Sequence, residues 1–60
     1  MSARSITKRR VARLAKGAAA ELEAALSYLY HGDGDWAADH VQRALELVWE
    51  ILHAVEVVEA

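Results

Sequence analysis

Sixty residues, 55% of them apolar, with no cysteine, no proline and a net charge of −2, allow one domain at most. A lone domain of this length buries only about 60% of the surface that its unfolded chain exposes, so it is marginal unless something braces it. Without cysteine the brace is not a disulfide, and thiol catalysis and the usual zinc fingers are excluded as well.

The charge is unevenly spread. Arg4, Lys8, Arg9, Arg10, Arg13 and Lys16 precede every acid, and Arg43 is the one later cation. Such a split points to contact with nucleic acid or an anionic membrane, or to two antiparallel helices that neutralise each other. The acid-free, arginine-rich stretch from Met1 to Ala20 has the composition of an organellar transit peptide, and it equally makes a structural helix. It lacks the uninterrupted apolar stretch of a secretory signal, and no run in the chain approaches the roughly 18 apolar residues of a membrane span. The chain is expected to be soluble and cytoplasmic.

The first helix is expected from about residue 5 to 30, with Ser2, Ser5 and Thr7 as candidate N-caps. Val11, Ala15, Ala18, Leu22, Ala25 and Leu29 recur at steps of four and three, and Leu14, Ala19 and Leu26 widen that stripe, which is helical periodicity. So much alanine lets a neighbouring helix come close. Gly17 costs about 1 kcal/mol relative to alanine in a helix, so it is either tolerated or kept for close packing.

His31-Gly32-Asp33-Gly34-Asp35 is the strong break in the chain. Gly32 fits the position after a helix C-terminus, where a left-handed backbone is cheap for glycine. Asp35 is then expected as the N-cap of the second helix, with Asp39 at the positive end of its dipole. Asp-Gly-Asp is also a fragment of a calcium loop, but the rest of the twelve-residue pattern is missing.

The second helix is expected over about 36–58. Val41, Val48 and Val55 recur every seven residues, as do Ala37, Ala44, Ile51 and Val58, and Ala38, Leu45 and Leu52. Leu47 and Ala54 widen this face further. One neighbouring helix cannot cover so broad a surface. The expected fold is therefore all-α: an antiparallel two-helix hairpin, homo-oligomeric, with two copies making a four-helix bundle. The expected oligomer interface is Val41, Ala44, Leu45, Val48, Ile51, Leu52 and Val55, with Leu22 and Leu29 from the first helix. With the turn centred near Asp33, Lys16 lies level with Glu50, Arg10 with Glu56 and Glu23 with Arg43. These three pairs of opposite sign support the antiparallel register.

Four groups of residues are candidates for chemistry or binding. Arg9, Arg13 and Lys16 share a helix face, with Arg10 beside them, and such a face can hold phosphates through salt-sensitive contacts. The alternative is a solvated side paired with Glu50, Glu56 and Glu59. In size and plan the chain is similar to the Rop-type plasmid RNA-binding proteins: two helices, a short turn and an alanine-rich bundle. That resemblance implies a dimeric regulator that binds RNA or DNA through its first helix. It is a likeness of plan without a shared motif, and the aromatic residue such proteins present from helix one has no counterpart between Arg10 and Lys16.

Glu50 and His53 form the Glu-x-x-His spacing of bundle metal sites, to which Glu21, Glu23 or Glu46 would add a carboxylate. Their place in a polar stripe with Asp39, Arg43 and Glu46 points instead to solvent, and neither a metal nor any other cofactor is expected. Trp49 lies off the main apolar face, either as a partner contact or packed on the flank of helix one. Trp36, Tyr28 and Tyr30 are expected to close the turn end, near His31 and His40, two histidines suited to a metal or a pH response. Ser27 has no histidine in reach to make it a nucleophile. The function expected is a non-enzymatic assembly module whose first partner is a copy of itself, with another protein as a further candidate partner. The alternatives are the nucleic-acid regulator and the carboxylate–histidine metal bundle.

Overall fold

The computed structural model describes the backbone of residues 3–59 and the side chains of residues 7–56. Among the described residues there are two helices and no strand: α1 (Ala3–Tyr30) and α2 (Gly34–Glu59), packed side by side as an antiparallel hairpin. α1 is already helical at Ala3, so Ser5 and Thr7 lie inside it and do not cap it. Ser2 lies outside the described residues.

The turn is shorter than the sequence suggests. The Gly32 N–H donates to the Leu29 carbonyl and the Asp33 N–H to the Tyr28 carbonyl, with Gly32 at φ 77°. This is the paired-bond ending in which a left-handed glycine turns the chain out of a helix. His31 adds a side-chain cap, its Nδ1–H donating to the Ser27 carbonyl at 2.7 Å. The chain leaves α1 already aimed at α2, so Asp33, and not Asp35, is the N-cap. Its carboxylate accepts from the Trp36 N–H at 3.2 Å, and its carbonyl accepts the first helical bond from Ala37. Asp35 sits in the first turn of α2, where its charge still favours the helix dipole.

The seam between the helices follows a strict alternation of three and four residues. On α1 it runs Thr7, Val11, Leu14, Ala18, Glu21, Ala25 and Tyr28; on α2 it runs Ala37, His40, Ala44, Leu47, Ile51 and Ala54. This is the heptad pattern of a coiled coil, with Val11, Ala18, Ala25, Ala37, Ala44 and Ile51 at position a and the rest at d. Among the described side chains the buried ones are Ala18, Ala25, Ala37 and Ala44, all with one methyl group. Small residues let the two backbones approach: a Cβ at Gly17 would stand 3.3 Å from Leu47 Cδ1.

This close fit makes a slab. The principal extents are 45 × 18 × 9 Å, a single layer of helix. One layer buries little, and the larger apolar side chains stay outside: Leu22, Leu26, Leu29, Val41, Leu45, Val48, Leu52 and Val55 are all exposed.

Candidate functional site

Apart from Ala20, Tyr28, Tyr30, Trp36 and Trp49, the exposed apolar residues follow the same alternation as the seam, one position further on. On α1 they are Ala12, Ala15, Ala19, Leu22, Leu26 and Leu29; on α2 they are Ala38, Val41, Leu45, Val48, Leu52 and Val55. In the seam's own lettering, all twelve fall at positions b and e. At 3.6 residues per turn, the centre of a b/e stripe lies about 100° round the helix from the centre of an a/d stripe. Each helix therefore carries two apolar stripes at roughly a right angle. One faces its own partner helix, and the other faces outward.

The two outward stripes fall on the same side of the slab. A half-turn about the normal to the hairpin plane exchanges two antiparallel helices and keeps each lettered position on its face. Positions b and e of both helices thus form one broad face without a charged residue from Ala12 to Leu29 and from Ala38 to Val55. The opposite broad face, at positions c and g, carries Arg10, Arg13, Asp39, Arg43, Glu46, Glu50 and His53, all exposed. The hairpin is two-faced, and its asymmetry comes from the sequence alone.

Of the expected interface residues, Leu22, Leu29, Val41, Leu45, Val48, Leu52 and Val55 lie on the uncharged face. Ala44 and Ile51 do not. Both sit at a positions in the hairpin's own seam, where Ala44 is buried and Ile51 half-buried. Leu26, Ala12, Ala15, Ala19 and Ala38 complete the face.

The expected ion pairs do not form among the described residues. Lys16, Glu23 and Glu56 all occupy position f, on the far side of their helices from the seam. Being level with an opposite charge does not bring them to it. Arg43 pairs with Asp39 on its own helix at 3.0 Å, with both side chains half exposed. A polar contact that does cross the seam joins Glu21 and His40, where the His40 Nδ1–H donates to Glu21 Oε1 at 2.9 Å. The pair becomes an ion pair when the ring is protonated, and its side chains are mostly covered. His40 also stacks on Tyr28 with ring centroids 5.3 Å apart, and Tyr28 stacks on Trp36 at 6.1 Å. The turn end is thus closed by Tyr28, Trp36 and His40. Tyr30 takes no part and is 83% exposed.

His31 caps α1 and His40 holds Glu21, so the two histidines do not share a site. Glu50 and His53 are exposed on the charged face, Glu21 is engaged across the seam, and Glu23 points away from it. No three His, Asp or Glu side chains come together as a metal-holding group among the described residues. Asp33 gives its carboxylate to the cap. Lys8, Arg9, Arg10, Arg13 and Lys16 are all exposed and form no ion pair among the described residues. The alternative pairing with Glu50 and Glu56 is therefore absent, and the Glu59 side chain lies outside the described ones.

Trp49 is 60% exposed and does not pack on the flank of α1. It stands at position f, next to Leu45 and Leu52 at the rim of the uncharged face. Among the described residues no helix is long and apolar enough to cross a membrane. No family model, curated protein or solved structure matches this chain.

Proposed function

We propose that this chain is a non-enzymatic self-assembly module, in which two hairpins join through their uncharged faces into an antiparallel four-helix bundle. The observation that carries this reading is the second apolar stripe, present on both helices, on one side of the slab and free of charge. A patch of this kind on a soluble chain marks an interaction site. The uncharged stretch covers 18 residues on each helix, about 27 Å of the 45 Å length, so a second copy laid on the 18 Å-wide face would cover a patch of about 490 Å², the scale of the apolar patches by which chains meet partners.

The geometry fits as well. A four-helix bundle needs each helix to present two stripes near a right angle, one to each neighbour. Positions a and e then point to the bundle axis. There the alanines of the a positions alternate with Leu22, Leu29, Val41, Val48 and Val55 at e, a small-and-large pattern that fills a core. Trp49 would join the rim of the interface.

Sedimentation of the full chain with Leu26→Asp and Leu52→Asp tests this reading. Each substitution places an unpaired charge in the dimer interface and a harmless one on a solitary hairpin. Loss of the dimer with helix content retained supports the proposal, and a parent chain that is already monomeric refutes it.

A second reading rests on a separate observation. Arg9, Arg10, Arg13 and Lys16 are exposed, form no ion pair among the described residues and lie off the uncharged face. Assembly would leave them free to hold the phosphates of RNA or DNA. Such binding falls steeply with salt and is lost when Arg9, Arg13 and Lys16 are replaced by alanine. Retention of nucleic acid by that triple variant removes the reading.

A further inference from the structure

Four cations of α1 occupy one corner of the slab. Arg9 and Lys16 stand at position f, about 170° round the helix from the seam, with Arg13 at c and Arg10 at g turning toward the charged face. All four are exposed, and none forms an ion pair among the described residues. Assembly through the uncharged face leaves this corner open.

A polyanion can approach it from two sides. Over the broad charged face it meets Arg10 and Arg13, but also Glu46 and Glu50, which α2 presents on the same side. Along the outer edge of α1 it meets no acid before Glu23, so the field favours the edge. Arg9 and Lys16 are seven residues apart, about 10 Å of helix. One strand of a duplex carries a phosphate every ~3.4 Å of its axis, so about four phosphates lie along that length, one for each cation.

The same corner offers little with which to read bases. The chain has no asparagine, and its one glutamine, Gln42, stands at f on α2, at the opposite edge. No aromatic residue precedes Tyr28, so unstacked bases find no platform beside the cations. An arginine reads guanine from inside the major groove, which is about 8.5 Å deep. Packed helices stand about 8–10 Å apart, so sinking α1 to the floor of the groove brings α2 level with the phosphates at its mouth, Glu46 and Glu50 with it. An anionic lipid surface fits less well, because positions c, f and g from Arg9 to Ala20 hold no apolar side chain larger than alanine to enter it.

We infer that the outer edge of α1 holds the phosphate row of a nucleic-acid duplex without reading its bases. The inference rests on the nucleic-acid reading above and adds the form of the ligand and the mode of contact.

Titration of the full chain with labelled duplexes of about 20 base pairs at about 50 mM salt tests it. Each duplex is made as DNA and as RNA, in one sequence rich in G·C and one poor in it. Tight binding to either chemistry supplies the row, and the two sequences of that chemistry are expected to agree within about threefold, with their single strands bound more weakly. Lys16→Ala is expected to weaken both sequences alike and to lower the salt slope by about one for each copy in contact, while Arg43→Ala, on the other helix, leaves the slope unchanged. A preference of about tenfold for one sequence, a single strand held as tightly as the duplexes, or a Lys16→Ala slope equal to that of the parent overturns the inference. A chain that binds neither duplex nor single strand, including one captured only by vesicles of anionic phospholipid, removes the nucleic-acid reading itself, which keeps the two failures distinct.

Discussion

Truncating Leu26 to alanine measures how much the uncharged face contributes. Leu26 is 52% exposed in the hairpin, so about half of its burial remains to be gained in the bundle. Fully burying a leucine is favourable by about 1.5–3 kcal/mol, and alanine keeps only the first methyl, which leaves about 1 kcal/mol per copy. Both copies carry the change, so the dimer loses about 2 kcal/mol. At about 1.4 kcal/mol per tenfold, that is roughly a thirtyfold rise in dissociation constant.

Sedimentation across a concentration series reads the constant, and circular dichroism at high concentration checks that the helices persist. Tyr30→Ala is the control: Tyr30 is more exposed than Leu26 but stands at position f, away from the face. Its expected effect is less than threefold. If Leu26→Ala leaves the constant unchanged, or Tyr30→Ala shifts it as much, the face is not the interface.

Three further predictions concern the hairpin. Asp33→Ala removes the cap on α2 and is expected to cost about 1 kcal/mol, whereas Asp35→Ala loses only a dipole interaction of about 0.5 kcal/mol; thermal melts at one fixed concentration rank them, and the opposite order places the cap at Asp35. Gly17→Ala gains about 1 kcal/mol of helix propensity and meets only the flexible end of Leu47, so a higher melting temperature is expected; a lower one means that the seam does not yield. A double-mutant cycle between Glu21→Ala and His40→Ala is expected to show coupling of about 1 kcal/mol, and additivity of the two changes would mean that the cross-seam bond contributes nothing.

The hairpin was legible because its signal is local and unrivalled. One cluster of glycine and aspartate interrupts two long stretches of helical periodicity. The position of the cap was harder, because Asp-Gly-Asp offers two capping carboxylates two residues apart. Only the bonding at Gly32, which delivers Asp33 straight to the start of α2, decides between them.

The apolar residues were legible as a group but not as two stripes. Val41, Ala44, Val48 and Ile51 all look alike in a periodic pattern. Which of them faces α1 depends on the rotation of α2 about its own axis, and that is set by the whole seam. The ion pairs failed for the same reason, since level matching ignores rotation. The Glu21–His40 contact was missed because Glu21 was weighed as a metal carboxylate and His40 as a residue of the turn end, and neither was placed in the seam. The signal was present: both continue the three-and-four alternation of alanines that forms the seam.

The hairpin is too thin to cover its own apolar surface. Sedimentation equilibrium of the full chain across the micromolar range tests this most directly, with melts at the same concentrations. A dimer of twice 6.6 kDa, melting at a temperature that rises with concentration, is the expected result. A 6.6 kDa species that melts cooperatively at one temperature across the series would contradict it.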